Sequence, residues 1–169
     1  MLRGFVLLFV ICVSVAGSAA AQGKAPAAQA NPLADFEPYI GGTWVSERAG
    51  RDGTAIRTER VYAWTLGGRF LEVREKSTGG NRSSSYFAIL GVDPSTKALT
   101  AWSFTSRGET FFMRRAEADG LVFLSIGDGP MYRMTIRRTG SNTFEEVTEI
   151  QREGAWVPAG RQSFTRVAP

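Results

Sequence analysis

The chain has 169 residues, 43% hydrophobic and 21% charged, enough for one sizeable core and too few for two. It has no histidine and a single cysteine, Cys12, which excludes serine-histidine triads, cysteine proteases, thiolate metal centres and histidine-ligated haem. The formal charge of +4 comes almost wholly from arginine, because Lys24, Lys76 and Lys97 are the only lysines. Such a surplus gives a weak preference for anionic surfaces, but most of these arginines simply solvate an outer face, and no nucleic-acid partner is expected.

In chain order, residues 1–21 combine Arg3, an apolar run from Phe5 to Ala16 and the small triplet Ala19, Ala20, Ala21 before Gln22. That pattern predicts a signal peptide cut after Ala21 and a periplasmic or secreted protein. The apolar run is well short of the roughly 20 residues a membrane-spanning helix needs, so no integral membrane segment is expected after cleavage. Cleavage also removes Cys12 and Arg3, leaving no thiol for a disulfide and a charge of +3 (20 basic residues less one, against 16 acidic).

Residues 22–31, QGKAPAAQAN, lack large apolar side chains and read as a flexible linker to a domain spanning 32–169. NPLADFEPYIGG then offers Asn31 as N-cap, Pro32 at the first helical position, Asp35 and Glu37 in the early turns and Gly41-Gly42 as a stop. One short helix, broken or tightened near Pro38, is expected.

From Thr43 onward, glycine and Asp-Pro punctuation divides the chain into strand-length pieces rich in β-branched and aromatic residues. The short connections favour antiparallel neighbours, and closure removes exposed edges. The expected fold is all-β: an antiparallel up-and-down barrel of about eight to ten strands behind one short helix. Alternation places Ile56, Thr58, Arg60, Tyr62, Trp64 and Leu66 on one face, Trp102 with Phe104 on another, and Tyr132, Met134 and Ile136 opposite Arg133 and Arg137. Taken as inward, Arg60, Tyr62, Trp64, Trp102, Phe104, Tyr132 and Met134 form the candidate ligand-binding face.

Gly42-Thr43-Trp44, after a short helix and at the first strand, resembles the Gly-x-Trp signature of lipocalin and wider calycin barrels. LGGRFLEV (66–73), ILGVDPSTKALTAWSF (89–104) and SRGETFF (106–112) extend the likeness to exported bacterial lipocalin-like domains, a group defined by fold and not by activity. The resemblance covers roughly Leu33 to Val167. It implies that the helix closes one barrel end, that Trp44 packs beneath it, and that an arginine of the last strand, Arg166 or failing that Arg161, stacks on the indole. Gly42, Trp44 and Arg166 would then be a structural closure, and the lumen would take a small ligand.

Gly67-Gly68 precedes no helix and reads as a tight hairpin, and Asp93-Pro94 as a type I turn. Asn81-Arg82-Ser83 would accept a glycan only in a eukaryotic cell. A tyrosine haem ligand would have to come from Tyr62, Tyr86 or Tyr132, whose commoner role is core with a bonded hydroxyl, so no cofactor and no metal are expected.

Glu72, Glu75, Glu145, Glu146 and Glu149 lie in strand-like runs. One of them turned inward beside Arg60 or Arg74 could act as a base, although surface pairing is the ordinary role of such carboxylates.

The leading reading is an exported binding module for an apolar or amphipathic molecule, with an inward arginine such as Arg60 holding an anionic head group. The alternatives are a barrel isomerase, cyclase or hydrolase using a Glu/Tyr/Arg set, and a filled barrel docking on envelope components. The sequence carries no signal for oligomeric state.

Overall fold

Between Asn31 and Gly42, Leu33, Phe36 and Tyr39 recur every third residue and all three are buried. Three residues per turn is the repeat of a 3₁₀ helix, and in the computed structural model Ala34–Tyr39 is one. Pro38 lies inside it and withholds a backbone donor, which tightens the expected helix instead of extending it. Asn31 Oδ1 accepts the Leu33 N–H at 3.0 Å and fixes the entry. The structure describes residues 31–50 and 52–167; the expected signal peptide and the 22–30 part of the linker lie outside the described residues.

Ten strands follow among the described residues: β1 (Thr43–Ala49), β2 (Ala55–Thr65), β3 (Phe70–Gly79), β4 (Arg82–Val92), β5 (Leu99–Thr105), β6 (Thr110–Arg115), β7 (Leu121–Ile126), β8 (Tyr132–Arg138), β9 (Thr143–Arg152) and β10 (Ala155–Val167). Each pairs antiparallel with its successor and β10 pairs with β1, giving a closed up-and-down barrel as expected. The punctuating residues make the turns. Leu66, Gly67 and Gly68 all have positive φ in the β2–β3 hairpin, and Asp93 Oδ1 accepts the Ser95 N–H at 2.8 Å and O–H at 2.6 Å between β4 and β5. The longest strand, β10, shifts register between Pro158 and Gly160, where a proline would otherwise interrupt the ladder.

One barrel end is closed by the 3₁₀ turn. Trp44, wholly buried, donates its Nε1–H to the Tyr39 carbonyl at 2.8 Å. Strand pairing sets Arg166 directly beside Trp44, and the guanidinium stands 4.4 Å from the indole centroid while Nη2 donates to the Pro38 carbonyl. Arg161, the other candidate, faces outward and lies 3.4 Å from Glu145. Gly42 has φ +71°, and a Cβ there would come within 3.1 Å of the Val167 carbonyl, so glycine is required on both counts. Below the turn, Trp44 meets Phe144 edge-on at 4.9 Å and Phe144 stacks on Phe164 at 4.7 Å.

Two sequence expectations are corrected. In β5 the inward residues are Leu99, Ala101 and Ser103, so Trp102 and Phe104 face outward, and Trp102 pairs across to Ile89 and Phe112. The lumen beside β5 is already taken by Tyr86, whose hydroxyl lies 3.1 Å from Ser103 Oγ, and only small residues fit opposite. Leu66 does not share the inner face of β2, because it has turned into the hairpin and is 70% exposed.

Replacing Trp44 by Phe removes the donor to a buried carbonyl and should lower unfolding free energy by about 1–3 kcal/mol in urea titration. Arg161→Ala, which removes an exposed arginine and leaves Arg137 beside Glu145, should stay within about 0.5 kcal/mol of wild type.

Candidate functional site

Inside the barrel lies a cavity of about 530 Å³. Its floor is Phe36 of the 3₁₀ turn, and it extends away from the plug to Glu109, Thr110 and Phe111 at the start of β6 and Tyr132 at the start of β8. Between these ends the wall is mostly apolar, with Val73, Leu90, Ala101, Met113, Phe123, Met134 and Ile136 contributed by six different strands. The volume falls within the roughly 300–1,000 Å³ usual for small-molecule sites.

The polar part of the wall is built around Arg60. Strand register places Trp44, Arg60, Glu75 and Tyr86 in one row across β1 to β4. From β2 the Arg60 side chain crosses over the Phe164 ring, 4.5 Å from its centroid, and reaches Glu146 on β9. Nε and Nη2 donate to Glu75 Oε2 at 2.8 and 2.5 Å, Nη1 donates to Glu146 Oε2 at 2.6 Å and to the Tyr62 hydroxyl at 3.2 Å, and Nη2 donates to Glu146 Oε1 at 3.3 Å. A guanidinium has five N–H groups, and five bonds are made.

Burial by itself disfavours the Arg60 charge, but Glu146 above all, with Tyr62 and Glu75, outweighs it and holds the group well above the ordinary guanidinium value. Burial pushes the Tyr62 and Tyr86 phenols up, against the pull of Arg60 on the first and of the Ser103 hydrogen bond on the second.

Arg60, expected to anchor an anionic head group, has all five donors engaged within the protein and two carboxylates beside it. Of the sequence-derived face, Arg60, Tyr62, Tyr132 and Met134 line the cavity. Trp64 lies outside the lining and packs, partly buried, against the core, while Trp102 and Phe104 are on the outer surface. Tyr132 stands at the mouth, 38% exposed.

Among the five strand glutamates, Glu75 and Glu146 converge on Arg60. Glu72 pairs with Arg74 instead, Glu145 lies near Arg137 and Arg161, and Glu149 pairs with Arg133, whose guanidinium covers Trp156. Phe36, Phe111, Met113 and Phe123 were missed from sequence. In β7 both parities of LVFLSI are apolar, so alternation carried no signal for Phe123, whereas the three-residue spacing around Phe36 carried one for the floor. Among the described residues no group of three or more acidic side chains is placed to hold a metal ion.

Fold and site together define a closed antiparallel barrel with a lumenal cavity. No family model matches the chain, and no curated protein matches its sequence. Among solved structures, a de novo designed fluorescence-activating β-barrel is similar at a TM-score of 0.41 and 14% identity, over 79% of this chain and 98% of the design. At that overlap the description of the fold rests on the strand pairing itself.

Two predictions follow from the polar wall. Arg60→Met leaves Glu75 and Glu146 buried without their counter-ion and should cost about 3–5 kcal/mol at neutral pH. Adding Glu75→Gln and Glu146→Gln to that variant should restore most of the loss in the same urea titrations. Separately, Tyr62 and Tyr86 have folded pKa values raised above the unfolded value of 10.0, so their contribution is intact below pH 10.0 and is lost as pH rises beyond it. Alkaline unfolding curves should fall less steeply in Tyr62→Phe than in wild type.

Proposed function

We propose that the protein is an exported carrier of lipocalin-like build that holds a small apolar or amphipathic molecule in its barrel. The observation that supports this reading most is the cavity of about 530 Å³, walled mostly by aromatic and aliphatic side chains, with the Arg60 cluster as its buried charged group. Apolar walls enclosing a few fixed polar groups are the usual composition of a small-molecule site, in which burial supplies affinity and the polar side sets orientation. The Trp44–Arg166 stack under the 3₁₀ turn supports the lipocalin-like assignment. Export, to the periplasm or outside the cell, is supported by the signal-like pattern of residues 1–21.

Binding is favoured over catalysis because both inward glutamates are engaged by Arg60, and Tyr62 accepts from the same guanidinium. Each of these three groups is already bonded to the one buried cation.

An apolar environment-sensitive dye should gain fluorescence on mixing with the protein. Met134→Trp, which fills the lumen, should weaken that uptake at least about tenfold with the β-sheet circular dichroism retained. Trp102→Ala, on the outer surface, should leave uptake as in wild type. Equal uptake by Met134→Trp and wild type would place the dye outside the barrel and remove the reading.

A further inference from the structure

The cavity wall is short of positive charge. Its charged residues are one arginine, Arg60, and three glutamates, Glu75, Glu109 and Glu146. Glu109 at the mouth is paired with Arg107 at 3.1 Å, outside the lumen. Deeper in, Glu75 and Glu146 share Arg60 between them, leaving one formal negative charge in excess.

The hydrogen-bond count agrees with the charge count. Every Arg60 donor is used, and Glu75 accepts both of its Arg60 bonds on Oε2, so Oε1 has no protein donor among the described residues. Gln162, paired in register with Glu146 and lining the same wall, has Oε1 buried without a donor. Six aromatic rings line the same cavity: Tyr62 and Tyr86 stand within this polar wall, Phe36 at the floor, Phe123 on β7, and Phe111 and Tyr132 toward the mouth. Ring faces attract an organic cation, and desolvation strengthens the attraction. A carboxylate-rich, ring-lined cavity suits an ammonium group and repels a carboxylate.

We infer that the barrel takes a hydrophobic amine in its protonated form, its alkyl or aryl body in the apolar lumen and its ammonium against Glu75 and Glu146. This rests on the carrier reading above and supplies its ligand class. The ammonium N–H groups provide the donors that Glu75 Oε1 lacks, and the added positive charge offsets the excess negative charge beside Arg60. A fatty acid of the same length would bring its carboxylate against two others, with no free arginine donor to receive it.

The test is displacement of the apolar dye by decylamine, decanol and decanoate at neutral pH, the two ions below their micelle concentrations and decanol below its solubility. Wild type should bind decylamine at least about tenfold more tightly than decanoate, with decanol between them. In Glu75→Gln, where Arg60 and Glu146 balance one to one, the decylamine-to-decanol affinity ratio should fall several-fold. Glu146→Gln should lower the same ratio and serves if Glu75→Gln does not fold. Displacement by decanol with indifference to head-group charge, or a preference for decanoate, overturns the amine inference while the carrier reading stands. Failure of wild type to take up dye and decanol alike overturns both.

Discussion

A single buried guanidinium sets the conditions for the rest of this barrel. Arg60 springs from β2, pairs with its register neighbour Glu75 on β3, lies over Phe164 of β10 and ends against Glu146 of β9. Hydrogen bonding along the sheet links only adjacent strands, whereas this side chain ties β2 to β9 across two intervening ones. An ion pair so placed need not add net stability over an apolar core, because desolvating three charges is costly. Its consequence is specificity: only a closed cylinder with this register brings the two glutamates to one arginine.

The 3₁₀ turn and the Arg60 cluster divide the interior between them. Below the cluster, Trp44, Tyr39, Phe144 and Phe164 fill the barrel solidly, with the indole N–H satisfied by the turn it supports. Above it, β5 turns the small Ala101 and Ser103 inward while Trp102 and Phe104 go outside, and space remains. The filled and unfilled halves are thus separated by a polar layer whose one cation is fully engaged within the protein. Had β5 been seated with Trp102 and Phe104 inward, the lumen would be closed and the carrier reading would have no room to stand on.

Much of the architecture was readable from local pattern. Gly67-Gly68 and Asp93-Pro94 fix turns through backbone conformation and a side-chain acceptor, both properties of a few consecutive residues. Gly42-Thr43-Trp44 pointed to a plugged end, and the plug is there, with Arg166 rather than Arg161 over the indole. The site was less legible. In β2, Thr58, Arg60 and Tyr62 alternate with charged or exposed residues, so their inward direction shows in the sequence. In β5 both faces of LTAWSFT are largely apolar, and alternation has no polar face from which to choose.

The sequence by itself determined the strand punctuation, the closed all-β class and the restricted chemistry of a histidine-free chain, because each depends on residue type or near neighbours. Tertiary structure alone decided which two of five glutamates meet Arg60, which aromatic rings face the lumen and that the arginine is saturated. Those facts depend on side chains 15 and 86 residues away from Arg60, brought to it by register and closure. A contact between distant residues leaves no trace in the local periodicity of either strand, so the charge of the cavity wall becomes visible only when the cylinder is closed.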